Sequence, residues 1–246
     1  MTKAEIQLVR ALKDKRTRDS EGLFIAEGLK LVEEIRCSTL RIRRIYTTRH
    51  DIVGAEVEHI ERKDMERISE LKTASDTLAV VEKPHHKLHL ASITDRLVLA
   101  LDGVQNPGNL GTIIRLADWF GIEDIICSTE CADCYNPKVI QATMGAILRV
   151  KVHYTDNLPQ FLRDASTAGM PIYGTLLDGE NIYTKGLATR GVIVMGNEGR
   201  GLTEACRAEL TERLYIPSYP ADSPTSESLN VAMATGIILA EFRRPK

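Results

Sequence analysis

The sequence predicts an α/β protein: a mostly parallel sheet in its second half, covered on both faces, preceded by a smaller mixed α/β region. Two observations carry this. From about residue 96, short apolar runs alternate with helical stretches of about ten residues, the pattern of strands joined by crossover helices. In addition, three segments each join a strand end to a Gly-rich or polar turn and then a helix start: Leu101 to Asp118, Val192 to Thr203 and Ile216 to Phe242. Glycine lets backbone N–H and C=O groups approach a ligand closely, and ligands gather outside the carboxyl ends of parallel strands. Three such ends converging would make a site from backbone and a few polar side chains.

Element by element, Ile6, Val9 and Leu12, and then Leu29, Leu31, Val32 and Ile35, recur at helical spacing, while Thr77–Glu82 reads as a buried strand. Lys83–His89, with a proline and three histidines, reads as a linker, which divides the chain into domains 1–90 and 91–246. The histidines His85, His86 and His89 read as solvated rather than metal-binding. Beyond the linker, strands are expected at Leu97–Asp102, Asp124–Cys127, Val150–Tyr154, Ile172–Leu176 and Gly191–Met195, with a shorter one near Tyr215. Helices are expected at Thr112–Phe120, Pro137–Ile147, Leu158–Ala168 and Leu229–Phe242. The last is apolar nearly all round, so it should be buried against the sheet or a second subunit, with Ser226-Glu-Ser228 as its polar start.

Composition excludes several classes. Of 246 residues, 43% are hydrophobic and 27% charged, ordinary for a soluble globular chain, and no apolar run reaches the roughly 20 residues of a membrane span. The charged start, MTKAEIQLVRALKDKR, lacks the apolar stretch of a secretory signal, so residence in the cytoplasm is expected. Five cysteines in such a chain argue for reduced thiols. Cys131 and Cys134 form one CxxC with Cys127 upstream, but a metal would want a fourth ligand, and the pair reads as structural or incidental; no metal is expected. The net charge of −2 hides an asymmetry: residues 1–49 carry +5 and residues 91–246 carry −4. A basic arm on a neutral body fits phosphate binding, and a solvated helix face would give the same pattern.

The glycine-rich turns match none of the commonest nucleotide or hydrolase signatures. The first reads NPGNLG rather than GxGxxG, and neither GxxxxGK[ST] nor GxSxG occurs.

Asn109 with Arg115 in NLGTIIRLAD, the turn Gly196-Asn-Glu198-Gly-Arg-Gly201, and Ser228-Leu-Asn230-Val-Ala after Ile216-Pro217 resemble the three motifs of the SpoU (TrmH-like) RNA 2′-O-ribose methyltransferases of the SPOUT superfamily. Asn136–Val150 resembles the segment between motifs one and two. The likeness is close over about 96–244, and looser over 1–82, which is similar to the small ribosomal-protein-like substrate-binding domain of many members. It implies a parallel sheet with a C-terminal trefoil knot, a homodimer packed through the catalytic domain, RNA as partner and S-adenosyl-L-methionine as methyl donor. It further implies that Leu176, Leu177, Gly196, Asn197, Gly201, Ile216, Ser228 and Leu229 hold the cofactor. Arg115, Asn109, Glu198, Ser228 and Asn230 are then the candidate catalytic set.

For the chemistry, a ribose 2′-hydroxyl must lie in line with the sulfonium methyl and lose its proton. A guanidinium is a poor base, so Arg115 is read as a cation that binds the neighbouring phosphate and stabilises the developing alkoxide, with solvent or phosphate taking the proton. Asn109 would orient Arg115 or the ribose, or cap its helix; Glu198 would fix Arg115 or Asn109; Ser228 and Asn230 would bind the substrate phosphate or ribose, or Ser228 would cap the last helix. The Ser218–Ser226 stretch departs from the family pattern by a few residues and an extra proline. A non-catalytic RNA-binding protein that keeps the knotted fold is the rival reading, and a methyltransferase for a protein or small molecule is a third, disfavoured by the basic N-terminal part.

Overall fold

The computed structural model describes residues 1–220 and 228–245, which form two compact units. The first comprises Met1–His85 together with Asp133–Leu148; the second comprises His86–Ala132 and Arg149–Lys246. A segment from the middle of the sequence thus belongs with the N-terminal unit.

In that unit, α1 (Lys3–Ala11) opens on a Thr2–Glu5 capping box and is followed by α2 (Lys15–Glu21), β1 (Leu23–Glu27), α3 (Leu29–Arg36), β2 (Ile42–Thr47), β3 (Val57–His59), α4 (Arg62–Ile68) and β4 (Thr77–Glu82). The sheet order is β1-β4-β2-β3, with only the β2–β3 pair parallel. Ile6, Val9 and Leu12 of α1 and Met65 and Ile68 of α4 close a core over Leu23, Ile25, Tyr46, Leu78 and Val80. Apolar residues at helical spacing meet strand residues of alternate parity, which is why this stretch folds as it does.

The second unit begins with β5 (Leu97–Asp102), α5 (Pro107–Trp119) and β6 (Asp124–Ser128). The chain then enters the first unit as α6 (Pro137–Thr143) and a 3-10 turn at Ala146–Leu148. It returns as β7 (Lys151–Thr155), α7 (Leu158–Thr167), β8 (Ile172–Asn181), β9 (Gly191–Gly196), α8 (Glu204–Arg207), β10 (Glu212–Tyr215) and α9 (Val231–Phe242). The sheet is wholly parallel, in the order β10-β8-β9-β5-β6-β7. Val98, Ala100, Val192 and Val194 pack under Leu158, Leu162 and Ala165 of α7; the intervening Leu97, Leu99, Leu101 and Ile193 face the other way and are also buried. No described helix is long and apolar enough to cross a membrane.

All five long strands anticipated beyond the linker form, as does the short one near Tyr215. Helix starts differ from expectation. α5 begins at Pro107, not Thr112, because Asn106 caps it through Gly108 and Asn109 N–H and Pro107 needs no partner at the first position. α9 begins at Val231 under an Asn230 cap, so neither Asn109 nor Ser228 caps a helix; Ser226 lies outside the described residues. The α6 stretch is shorter than expected because Met144 turns left-handed at φ 51°.

Candidate functional site

Parallel strands β5, β8 and β9 deliver three chain ends to one edge of the second unit. Gly196 closes β9, and its Cβ, if present, would lie 2.4 Å from the Gly201 carbonyl carbon. Asn197 and Gly201 pair back on one another through two 2.9 Å backbone bonds, forming a tight turn in which Gly201 adopts φ +69°. The Asn197 carboxamide organises that turn: its Oδ1 accepts from Gly199 and Arg200 N–H at 2.9 and 3.1 Å, and its Nδ2 donates to the Gly103 carbonyl at 2.7 Å. At the other end, Thr203 N–H donates to buried Asp102 Oδ2 at 2.7 Å. Burial, with the Asp102 carboxylate beside it, pushes the Cys206 thiol up to about 12.

Beside this turn lies a cavity of about 620 Å³. Its walls include the apolar side chains of Leu176, Met195, Leu214, Ile216, Val231 and Ile238, while the 196–202 turn supplies mostly backbone. All eight expected cofactor residues line it: Leu176, Leu177, Gly196, Asn197, Gly201, Ile216, Ser228 and Leu229. Leu177 is 72% exposed, placing it at the rim.

Three of the expected catalytic residues form one hydrogen-bonded chain. Asn109 Nδ2 donates to Glu198 Oε1 at 2.7 Å, and Asn230 Nδ2 donates to Asn109 Oδ1 at 3.0 Å. Asn230 also caps α9 and Asn109 sits in the first turn of α5, so the chain draws two helix N-termini, each a partial positive charge, to the Glu198 turn. Ser228, exposed, lines the cavity nearby. Arg115 is not part of this network. It projects from the exposed face of α5, four residues from exposed Trp119, and has no hydrogen-bond or ion-pair partner among the described residues. Glu198 therefore fixes Asn109 rather than Arg115. Within the Ser218–Ser226 stretch, residues 221–226 lie outside the described residues.

Sequence reasoning passed over Asp102 and Thr203, which hold the 197–203 turn. The signal available was an acidic residue closing an otherwise apolar strand directly before a glycine. Among the described residues, no group of three or more His, Cys, Asp or Glu side chains stands where it could hold a metal ion.

Comparison with known proteins agrees with this geometry. A family model for the SpoU rRNA methylases matches residues 96–240, and one for an MRM3-like substrate binding domain matches residues 3–85. Bacillus subtilis 23S rRNA (guanosine(2553)-2′-O)-methyltransferase RlmP is 30% identical over 239 residues, covering 94% of this chain and 93% of that one. A 23S rRNA (guanosine-2′-O-)-methyltransferase RlmB from Xanthomonas campestris is 31% identical over 218 residues, 88% of this chain and 83% of that one. Among solved structures, a TrmH-family protein from Porphyromonas gingivalis superposes with a TM-score of 0.88 at 38% identity, covering 99% and 98% of the two chains. The AdoMet-bound rRNA methyltransferase of Sinorhizobium meliloti gives 0.87 at 30%, covering 99% and 95%. With a family model matching more than half its length, the chain belongs to the SpoU rRNA methylase family.

Proposed function

We propose that the protein transfers a methyl group from S-adenosyl-L-methionine to a ribose 2′-hydroxyl of ribosomal or transfer RNA. The observation that carries this is the apposition of the 620 Å³ cavity and the Glu198–Asn109–Asn230 chain, which share Glu198. The cavity suits a nucleoside-sized ligand: apolar side chains to enclose a flat base and a backbone-rich turn to meet its polar edges. When bound, the cofactor supplies an electrophilic methyl on a sulfonium, so the protein's task is placement. Leu176, Leu177, Ile216 and Leu229 enclose the ligand, while Gly196, Asn197 and Gly201 present backbone to it. Asn109, held between Glu198 and Asn230, orients the ribose, and the paired N-termini of α5 and α9 favour the adjacent phosphate. Ser228 and Asn230 contact the same phosphate or ribose. Arg115 stays cationic and stabilises the developing alkoxide.

The knot implied by the family accords with a sheet in which β9 lies between β8 and β5. A homodimer through the catalytic domain belongs to the same reading, in the cytoplasm. Trp119 is 82% exposed at the end of α5 and Met233 63% exposed on α9, and these two helices pack together; a second copy would cover an apolar surface that a monomer leaves wet. Arg115, on the exposed face with Trp119, would then stand at the junction of the two copies. The N-terminal unit docks the RNA, with Lys13 and Lys138 free of ion-pair partners among the described residues.

Ribose-methylation maps of RNA from cells with and without the protein test this. The expected result is one or a few 2′-O-methyl sites lost in its absence and restored by purified protein with S-adenosylmethionine. Identical maps, with no methyl transfer to either RNA class in vitro, would overturn it.

A further inference from the structure

The N-terminal unit contains a cavity of about 650 Å³, lined entirely by its own residues and unused by the methyl-transfer chemistry above. The least exposed charged residue in that lining is Glu27, 5% exposed, on the edge strand β1. Leu23, Ile25 and Glu27 share one face of the strand, so a carboxyl continues a face that is otherwise apolar core. Burying a carboxylate is costly unless donors surround it. Ser69 Oγ donates to Glu27 Oε2 at 2.6 Å and the Glu70 N–H to Oε1 at 2.7 Å, one donor for each oxygen among the described residues. An ionised carboxylate accepts about four, so each oxygen keeps a lone pair on a side chain that lines the cavity. Burial accordingly holds the carboxyl above its ordinary range in spite of both bonds. The backbone beside it is already served, because Gln141 Nε2 donates to the Glu27 carbonyl at 2.8 Å.

The rest of the lining fits one kind of guest. Ile25, Leu71, Pro137 and Ala142 supply apolar surface for a flat ring. Lys13 and Lys138 are exposed and without ion-pair partners among the described residues, and Asp14 and Glu70 are exposed beside them. Phosphates settle against the lysines and are repelled by the buried Glu27, so a nucleotide enters base first. Unpaired RNA bases are read by hydrogen bonds on their Watson–Crick edge. Of the four, guanine alone presents two adjacent donors there, N1–H and N2–H, which match two oxygens with one free lone pair each. Adenine and cytosine set an amino group beside a ring acceptor, and uracil sets one N–H between two carbonyls, so each would turn an acceptor toward the carboxylate. An arginine side chain offers a similar pair of donors, but the two lysines repel it. We propose that this cavity holds an unpaired guanine of the RNA, read by Glu27 and anchored through its phosphates by Lys13 and Lys138. The inference rests on RNA docking by the N-terminal unit and adds base selectivity to it.

The test uses the full chain without S-adenosylmethionine and fluorescently labelled RNA pentamers UUGUU, UUAUU, UUCUU and UUUUU, with binding read by anisotropy. UUGUU is expected to bind about tenfold tighter than the other three, the scale of one good bidentate pair. UUIUU, in which inosine lacks the N2 amino group, should fall to their level. Glu27→Gln should level the series, since a carboxamide offers one acceptor and one donor. That change also disturbs the Ser69 and Glu70 bonds. Ala142→Phe therefore provides the second variant: it fills the cavity and keeps Glu27 and both lysines. It should level the series too, with the salt dependence of binding retained. Equal affinity of the wild type for all pentamers, or a guanine preference that survives both variants, would overturn the proposal and leave RNA docking standing. Displacement of UUGUU by N-acetylarginine amide and not by guanosine monophosphate would assign the cavity to a protein side chain and overturn it as well. No binding of any pentamer would overturn the proposal together with the docking it rests on.

Discussion

Each unit holds a cavity of similar size, and the two differ in how much charge lines them. That of the second unit, about 620 Å³, is walled by leucines, isoleucines and a glycine-rich turn, and the charged groups at its edge are mostly paired: Asp178 with Arg207 and Arg213, Arg200 with Glu130. That of the N-terminal unit, about 650 Å³, is lined by Lys13, Lys138, Asp14, Glu27 and Glu70 around a smaller apolar floor. Its Glu27 carboxyl is raised above the usual range by burial, although Ser69 and the Glu70 N–H bond to it. Backbone fixed by backbone recognises a small ligand whose shape is constant. Lys13 and Lys138, without ion-pair partners among the described residues, stand beside Asp14, Glu27 and Glu70 and offer charge rather than a fixed shape. Free lysines of this kind suit a polymer whose charge is constant and whose sequence is not.

Substitutions can break this contrast at several strengths. The largest loss is expected from Arg115→Ala: about 3–4 kcal/mol of transition-state stabilisation, the scale of losing one well-placed charged donor at a developing oxyanion. Cofactor affinity should hardly move, and Arg115→Lys should recover part of the rate because it keeps the charge but not the fork. Single-turnover rates with calorimetric cofactor binding check both; a near-normal alanine variant would remove Arg115 from the mechanism. Next comes Gly196→Ala, whose new methyl would strike the Gly201–Leu202 backbone. Forcing that turn apart should cost on the order of 1–3 kcal/mol, read mainly as weakened cofactor binding with RNA affinity retained. The smallest effect is expected from Lys13→Ala with Lys138→Ala: RNA binding should weaken, and the slope of log K against log salt should flatten by about one per lysine, with cofactor affinity unchanged. An unaltered slope would take the N-terminal cavity out of RNA docking.

Much of the sheet was legible because strands buried on both faces read as uninterrupted apolar runs, Leu97–Leu101 and Val192–Met195 among them. Helix starts were less so. Gly108 and Gly111 interrupt the apolar periodicity of α5, and the Asn106-Pro107 pair that opens it looks like a turn until the cap is seen. The residues that line the cavity were named together through the family's motifs, yet the hydrogen bonds around them were not legible. Asn109 meets Glu198 and Asn230 across 89 and 121 residues of sequence, and Asp102 meets Thr203 across 101. Periodicity and local spacing carry no information at that range. Arg115 is the reverse case: its motif was plain, and its partner is not among the described residues of this chain.

Membership of residues 133–148 in the N-terminal unit has a consequence for the order in which the protein is made. Arg18, 1% exposed, holds the Leu12 and Lys13 carbonyls through Nη1, and its charge is met by Asp133 at 2.9 and 2.6 Å. Phe24 packs on Tyr135 at 4.9 Å between ring centroids, and Gln141 Nε2 donates to the Glu27 carbonyl. A nascent chain that has released only residues 1–85 therefore holds a guanidinium without its counter-ion and a strand without its covering helix. A buried cation stripped of its partner costs about 3–5 kcal/mol. At roughly 5–20 residues per second, translation needs several more seconds before the 133–148 stretch is available. The first-made part of the molecule must wait, half-closed, for a piece of the second.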